Sequence, residues 1–444
     1  MRQSRGVGNE LGAPHMMLNN LIPYVNRLRE RFPETGGRVV ALGRRYLGNR
    51  LGVYPKPLAG EVAAAARVIR GSQWNMAAGK PLAHERLEAA FAEYVGVPHA
   101  IAVNTGGMAL QMSMRALGLK PGDEVIHQVD TCSATALAVM AASCTPIFTD
   151  CSERTFMLDR ASVEQWIGTR SRALIATHLW GNTEDMLDVL QLAARHRLAV
   201  IEDTCLSLGA SIGGRMAGSF GRVGVFSFGL QKPIQAGEGG MIVTADDALA
   251  RELRAMRHWG DRTIEFGVRD TVCPAWNGRM SEIVAAVAHE QLKGYPQHLA
   301  CLRAAVADFA EFISRIDGLQ LALGNAEDPG TCAFTQVTLK IDEALLRRSK
   351  TDFKNALYDR GISVWHANYE LINSLSLFRS AGWKSWLPAA DIARTQSNYE
   401  GSYPNAQWLY DRSGLGLGKM NFLSKQNLQY LKKQIEAVCL RSQN

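Results

Sequence analysis

The chain has 444 residues, 47% apolar and 20% charged, an ordinary globular balance and too long for one small core. It contains no run of 18 apolar residues and opens without an apolar signal core, so the sequence predicts neither a membrane span nor a secretion signal, and a cytoplasmic protein is expected. The net charge of +7 is no nucleic-acid signature, because residues 1–70 hold 12 Lys/Arg against 4 Asp/Glu while the remainder holds 37 against 38.

Residues 1–70 read as a basic, glycine-punctuated helical extension. Its cluster from Arg27 to Arg50 suits either an acidic partner or anionic substrate, or else a solvated arm or a strap across a subunit. From about residue 98, short apolar runs alternate with helical patterns, the rhythm of an α/β domain built on a largely parallel sheet. Strands are expected at His99–Val103, Glu124–Val129, Thr145–Phe148, Ala173–His178 and Leu198–Asp203. Helices fall at Ala109–Leu117, Ser162–Ile167 and Asp185–His196. Val223–Phe228 and Met241–Thr244 lie too close together for a crossover helix and predict an antiparallel or edge pair. A large domain over 71–300 is expected, followed by a smaller α+β domain over 301–444. A long helix (281–313) leads into that smaller domain, which holds a strand (Ala333–Ile341) and helices at Lys350–Arg360 and Lys425–Val438. The eight cysteines, at 132, 144, 151, 205, 273, 301, 332 and 439, form no CxxC pair and predict neither a disulfide framework nor a zinc site. No His/Cys/Asp/Glu group has metal-ligand spacing.

Chemistry concentrates at three strand ends. Lys232 follows the strand ending Phe226-Ser-Phe228 and precedes Gly237-Glu-Gly-Gly240, at the sheet edge where α/β folds bind ligands. An amine held there can form a Schiff base with an aldehyde cofactor, and burial is expected to lower its pKa towards that of a base. Asp203 ends Ile201-Glu-Asp203, where a carboxylate can keep a pyridine nitrogen protonated and make the ring an electron sink. Asn104-Thr-Gly-Gly107-Met108 is a glycine turn between strand and helix, whose free amides would form a phosphate nest to which Ser227 could add a hydroxyl. Each feature alone has a plain explanation: a solvated loop lysine, a helix-capping aspartate, a turn. Their order and spacing together do not.

That order resembles the DegT/DnrJ/StrS sugar aminotransferases, a branch of the aspartate-aminotransferase (fold type I) enzymes. The likeness runs from about Trp74 to Val438. It includes Leu87-Glu-Ala-Ala-Phe-Ala-Glu-Tyr94, Gly122-Asp-Glu-Val-Ile126, Thr177-His-Leu-Trp-Gly181, Lys232 with Gly237–Gly240, and Asn277-Gly-Arg-Met-Ser-Glu282. The resemblance implies pyridoxal 5'-phosphate as cofactor and a homodimer with shared active sites. It also implies glutamate or glutamine as amino donor, and a keto acceptor on a nucleotide-linked sugar or cyclitol. By the same likeness Lys232 carries the cofactor and Asp203 holds its ring nitrogen. Ser227 with the Gly106, Gly107 and Met108 backbone cradles the phosphate, and Asn277 or Arg279 reaches the partner's cofactor.

The chain departs from the family pattern at Cys132, where an aromatic residue usually stacks on the ring, at Leu206 in place of a glutamine, and at Gly107 in place of a threonine. His366 and Tyr369 stand in the substrate segment after Gly361-Ile362, without its second histidine. Gly414-Leu-Gly-Leu-Gly-Lys419 replaces an expected proline-containing strand and could be read as a nucleotide turn, though strand–helix context is lacking. Two alternatives to transamination follow from these departures: altered chemistry on the same cofactor, and a regulatory cofactor-binding protein without catalysis. Dehydration by a pyridoxamine form is disfavoured, since relatives that dehydrate have histidine where this chain has Lys232.

Overall fold

Strands β1 (His99–Val103), β2 (Glu124–Gln128), β3 (Thr145–Thr149), β4 (Ser171–Thr177) and β5 (Ala199–Asp203) are buried almost throughout, as befits strands covered on both faces. A small ribbon, β6 (Ser211–Ile212) with β7 (Arg215–Met216), separates them from β8 (Val223–Ser227) and β9 (Gly240–Thr244). In the computed structural model, which describes residues 59–72, 74, 82–262, 270–326, 328–387 and 389–440, these form a seven-stranded sheet in the order β1-β9-β8-β5-β4-β2-β3. Only β9 runs against its neighbours: the short 228–239 connection leaves no room for a crossover, so β8 and β9 pair antiparallel as the sequence predicts. The basic stretch Arg27–Arg50 lies outside the described residues.

Helices sandwich this sheet. They are α1 (Ala59–Arg70), α2 (Ala83–Val95), α3 (Gly106–Ala116), α4 (Ser133–Ala141), α5 (Arg160–Trp166), α6 (Met186–His196), α7 (Asp247–Arg257) and the long α8 (Glu282–Ile313). Alternation along β1 sorts its side chains. Ala100 and Ala102 meet α2 and α8, whereas Ile101 and Val103 meet α3 and α7. Phe91 of α2 is fully buried, edge-on to Phe226 with ring centroids 4.9 Å apart.

Helix α8 runs unbroken through residue 300 into a second, smaller unit. There β10 (Leu319–Leu321), β11 (Gln336–Ile341), β12 (Val364–His366) and β13 (Gly414–Gly418) form an antiparallel sheet in the order β10-β11-β13-β12. Helices α9 (Lys350–Tyr358) and α11 (Lys425–Leu440) and the end of α8 cover it. Gly414–Gly418 is an interior strand, in line with the missing strand–helix context that argues against a nucleotide turn. Its glycines are needed because neighbours lie across it: a Cβ on Gly416 would sit 2.8 Å from Trp365 Nε1 and 2.9 Å from Gln336 Nε2.

Between β12 and β13 the chain returns to the large sheet. Helix α10 (Ile392–Tyr399) lies along the exposed edge of β3, where the Asn398 side chain accepts from Phe148 N at 2.8 Å and donates to Phe148 O at 2.9 Å. The Tyr399 hydroxyl donates to Pro146 O at 3.1 Å, and the Asp150 carboxylate accepts from the backbone of Asn405 and Ala406. A cluster of Phe148, Phe378, Trp383 and Tyr399 seals the contact.

Candidate active site

The first turn of α3 forms one wall. Thr105 caps the helix, its hydroxyl accepting from Met108 N at 3.0 Å, while Ala109 N donates to Thr105 O. Met108 N is thus occupied, and the amides of Gly106 and Gly107 take no partner among the described residues. Gly106 must lack a side chain here, since a Cβ would meet Ser227 Cβ at 2.9 Å and Cys205 Sγ at 3.2 Å. The Ser227 hydroxyl, at the end of β8, therefore lies beside two free amides at a helix N-terminus, a donor set suited to a phosphate dianion.

Asp203 ends β5 and is buried, with both carboxylate oxygens engaged. Oδ1 accepts from Cys205 N at 3.2 Å and Oδ2 from the Thr135 hydroxyl at 3.1 Å. Thr135 lies one helical turn after Cys132, the N-cap of α4, so the bonds to Asp203 join the two segments that carry Cys132 and Cys205.

Lys232 sits half-buried in the loop after β8. The residue before it, Gln231, has φ of +66°, a left-handed conformation that non-glycine residues rarely adopt and that collects at functional sites. The loop is pinned by reciprocal bonds between Gln235 and Gln291 of α8, each 2.8 Å, and by Lys419 Nζ donating to Lys232 O at 3.2 Å. Burial pulls the Lys232 ammonium down, but Cys205, Tyr369, Asp203 and Cys132 around it outweigh that and hold it above the ordinary lysine value. The expected lowering is thus corrected: burial acts in the anticipated direction, and the surrounding acidic groups reverse it. Burial likewise raises the Tyr369 phenol, against the pull of Lys232.

Lys232, Asp203, Cys132, Tyr369 and the Gly106 turn therefore converge, together with Cys205 and Thr135, which the motif reading had not singled out. The i, i+3 relation of Thr135 to Cys132 and the position of Cys205 two residues after a strand-end aspartate are the signals that point to them. Leu206 packs into the cluster of Phe148 and Tyr399, and its carbonyl accepts from the Thr335 hydroxyl. His366 is placed elsewhere, stacked on Tyr410 with ring centroids 4.9 Å apart and its Nε2 2.9 Å from Lys354 Nζ. Exposed Asn277 accepts from Arg279 Nε at 2.8 Å on Oδ1, and from Asn104 Nδ2 at 3.3 Å on its carbonyl. The Arg279 guanidinium lies 4.4 Å from the Trp259 ring. Among the described residues no His/Cys/Asp/Glu cluster is arranged to hold a metal ion, and no helix is long and apolar enough to cross a membrane.

A mostly parallel α/β sheet with a small antiparallel C-terminal unit, and a lysine, a carboxylate and an amide cradle at its strand ends, defines a pyridoxal-phosphate-dependent aminotransferase. The free amides of Gly106 and Gly107 would suit the cofactor's phosphate, the oriented Asp203 carboxylate its ring nitrogen and Lys232 its aldehyde. The chain belongs to the DegT/DnrJ/EryC1/StrS aminotransferase family, whose model matches residues 58–405. It is 38% identical over 261 residues to GDP-perosamine synthase of Caulobacter vibrioides, covering 58% of this chain and 69% of that one. To the L-glutamine:2-deoxy-scyllo-inosose aminotransferase of Streptomyces kanamyceticus it is 32% identical over 300 residues, covering 64% and 69%. Among solved structures, DesV of S. venezuelae superposes with a TM-score of 0.73 at 29% identity, covering 87% of this chain and 95% of the other.

Proposed function

We propose that this aminotransferase moves an amino group from L-glutamate or L-glutamine to the keto group of a nucleotide-linked sugar or a keto-cyclitol, acting in the cytoplasm as a homodimer. The observation that carries this reading is the convergence of Lys232 and Asp203 beside the free amides of Gly106 and Gly107. The relatives' sugar and inosose acceptors supply the substrate class.

When bound, pyridoxal phosphate supplies an aldehyde for the amine of Lys232 and a ring that withdraws electrons from the carbon being deprotonated. Gly106 N, Gly107 N and the Ser227 hydroxyl would hold its phosphate. Asp203 would pair with the ring nitrogen, and its bonds from Cys205 N and the Thr135 hydroxyl fix the direction of the carboxylate. With the cofactor in place, Lys232 Nζ would be the base positioned to take the donor's α-proton and to hand it back. Tyr369 borders the space the substrate enters. Cys132, near Lys232, would be a smaller wall for the ring than the family's aromatic residue. Asn277 and Arg279, beside Asn104 and Trp259, would reach the cofactor phosphate of a second copy. The large cofactor-binding domain spans 71–300 and the small one 301–444, with the basic extension before them.

The test is the absorption spectrum of the protein loaded with pyridoxal phosphate, before and after L-glutamate or L-glutamine. Loss of the visible Schiff-base band with gain of a near-ultraviolet band establishes the donor half-reaction. Lys232→Ala should lack the visible band before donor is added and should gain the near-ultraviolet band about 10,000-fold or more slowly, and a variant that keeps the rate removes Lys232 from the mechanism.

A further inference from the structure

A buried polar contact next to the site is used by none of the steps above. Asn368 Nδ2 donates to Asp130 Oδ2 at 2.6 Å, with both residues buried. Asp130 lies two residues before Cys132, and Asn368 immediately precedes Tyr369. Four residues further on, Ile372 N donates to Val129 O at 2.9 Å. The two bonds bracket Tyr369 and hold its loop against the β2–α4 connection.

We infer that Asp130 and Asn368 form a charge-dependent latch that seats Tyr369 over the Lys232 site, making both of them positioning residues for the proposed transamination.

The surroundings of Asp130 support a function beyond packing. The groups facing it are Gln128 Nε2 on its own strand at 3.4 Å, the Cys151 thiol and the Asp150 carboxylate at the end of β3, Asn368, and Glu184 before α6. None of these is a cation. Burial, with Asp150 adding to it, pushes the Asp130 carboxyl up to about 7 despite the hydrogen bonds it accepts. Gln128 Oε1 and Asn368 Oδ1 are buried without a hydrogen-bond partner, so this is a polar pocket that packing alone would not select. As a carboxylate, Asp130 accepts from Asn368 in a charge-assisted bond. Protonation removes that charge, so the latch tightens as pH rises through about 7.

This inference rests on the transaminase reading, and its test separates the two. The rate of the donor half-reaction with pyridoxal phosphate and L-glutamate is followed across a pH range centred on about 7. The wild-type rate should rise with pH through that value. Asp130→Asn, which keeps an oxygen for Asn368 but cannot titrate, should lose this limb. Asn368→Ala should be about ten- to a hundredfold slower at all pH values, with its affinity for pyridoxal phosphate alone unchanged. Independently of activity, protection of the Tyr369–Ile372 amides against hydrogen exchange, after correction for the intrinsic pH dependence of exchange, should be lower in Asn368→Ala, and in the wild type lower below the pKa than above it. A pH limb that persists in Asp130→Asn, or exchange and rates in Asn368→Ala equal to wild type, overturns the latch. Normal exchange differences without donor turnover in the wild type would instead sink the transaminase reading and leave the latch standing.

Discussion

Two strand-end aspartates, on the same edge of the same sheet, live in opposite surroundings. Asp203, at the end of β5, has its oxygens oriented by a backbone amide and a hydroxyl and lies within the field of Lys232. Asp130, after β2, is fully buried with amides and a thiol as donors and Asp150 as a like charge. One carboxylate is held in a fixed direction beside an ammonium, and the other is a group that changes charge near neutrality. Position in the fold is therefore a poor guide to a carboxylate's role, and neighbouring charge is a better one.

The largest effect that would sharpen this contrast is expected from Asp203→Ala. It should lower the donor half-reaction by about 100- to 1,000-fold in single-turnover absorbance while leaving the melting temperature close to wild type. If Asp130→Ala matched that loss, the distinction between the two carboxylates would collapse. Thr135→Val removes one bond from Asp203 without changing side-chain size, and should weaken pyridoxal phosphate binding by about 1 kcal/mol, read as a several-fold rise in dissociation constant by fluorescence titration. Cys132→Phe should do the reverse, tightening cofactor binding by about 1 kcal/mol through ring stacking, and no change would mean that residue 132 does not face the ring.

The smallest expected effect is on stability. A carboxyl whose folded pKa is raised stabilises the protein fully below the unfolded value of 3.8 and progressively loses that contribution as pH rises to about 7. Asp130→Asn should therefore melt a few degrees higher than wild type above pH 7, with the difference shrinking in acid. A purely structural carboxylate would show the opposite sign.

Much of the large sheet was legible because its strands are continuous apolar runs ending in chemistry-bearing residues. Lys232, Asp203 and Gly106-Gly107 could be placed at strand ends from sequence alone. The small sheet was legible only at β11, inside the strand expected at Ala333–Ile341: β10 and β12 have three residues each, too few to show a period, and β13 is built from glycines that local propensity assigns to turns. What closes the site was hidden for a different reason. Asn368 and Asp130 are 238 residues apart, and only the return of the chain across the sheet brings them together. The environment of Lys232 was half legible: burial could be foreseen, the encircling thiols and phenol could not.

The side-chain amide of Asn398 does to β3 what another strand would do, taking both the donor and the acceptor of Phe148. With Pro146 offering no amide on the same strand, the outermost ladder has few free groups with which to recruit a foreign chain. The segment between β12 and β13 is thus also a guard against edge-to-edge self-association, and losing α10 would cost solubility before it cost catalysis.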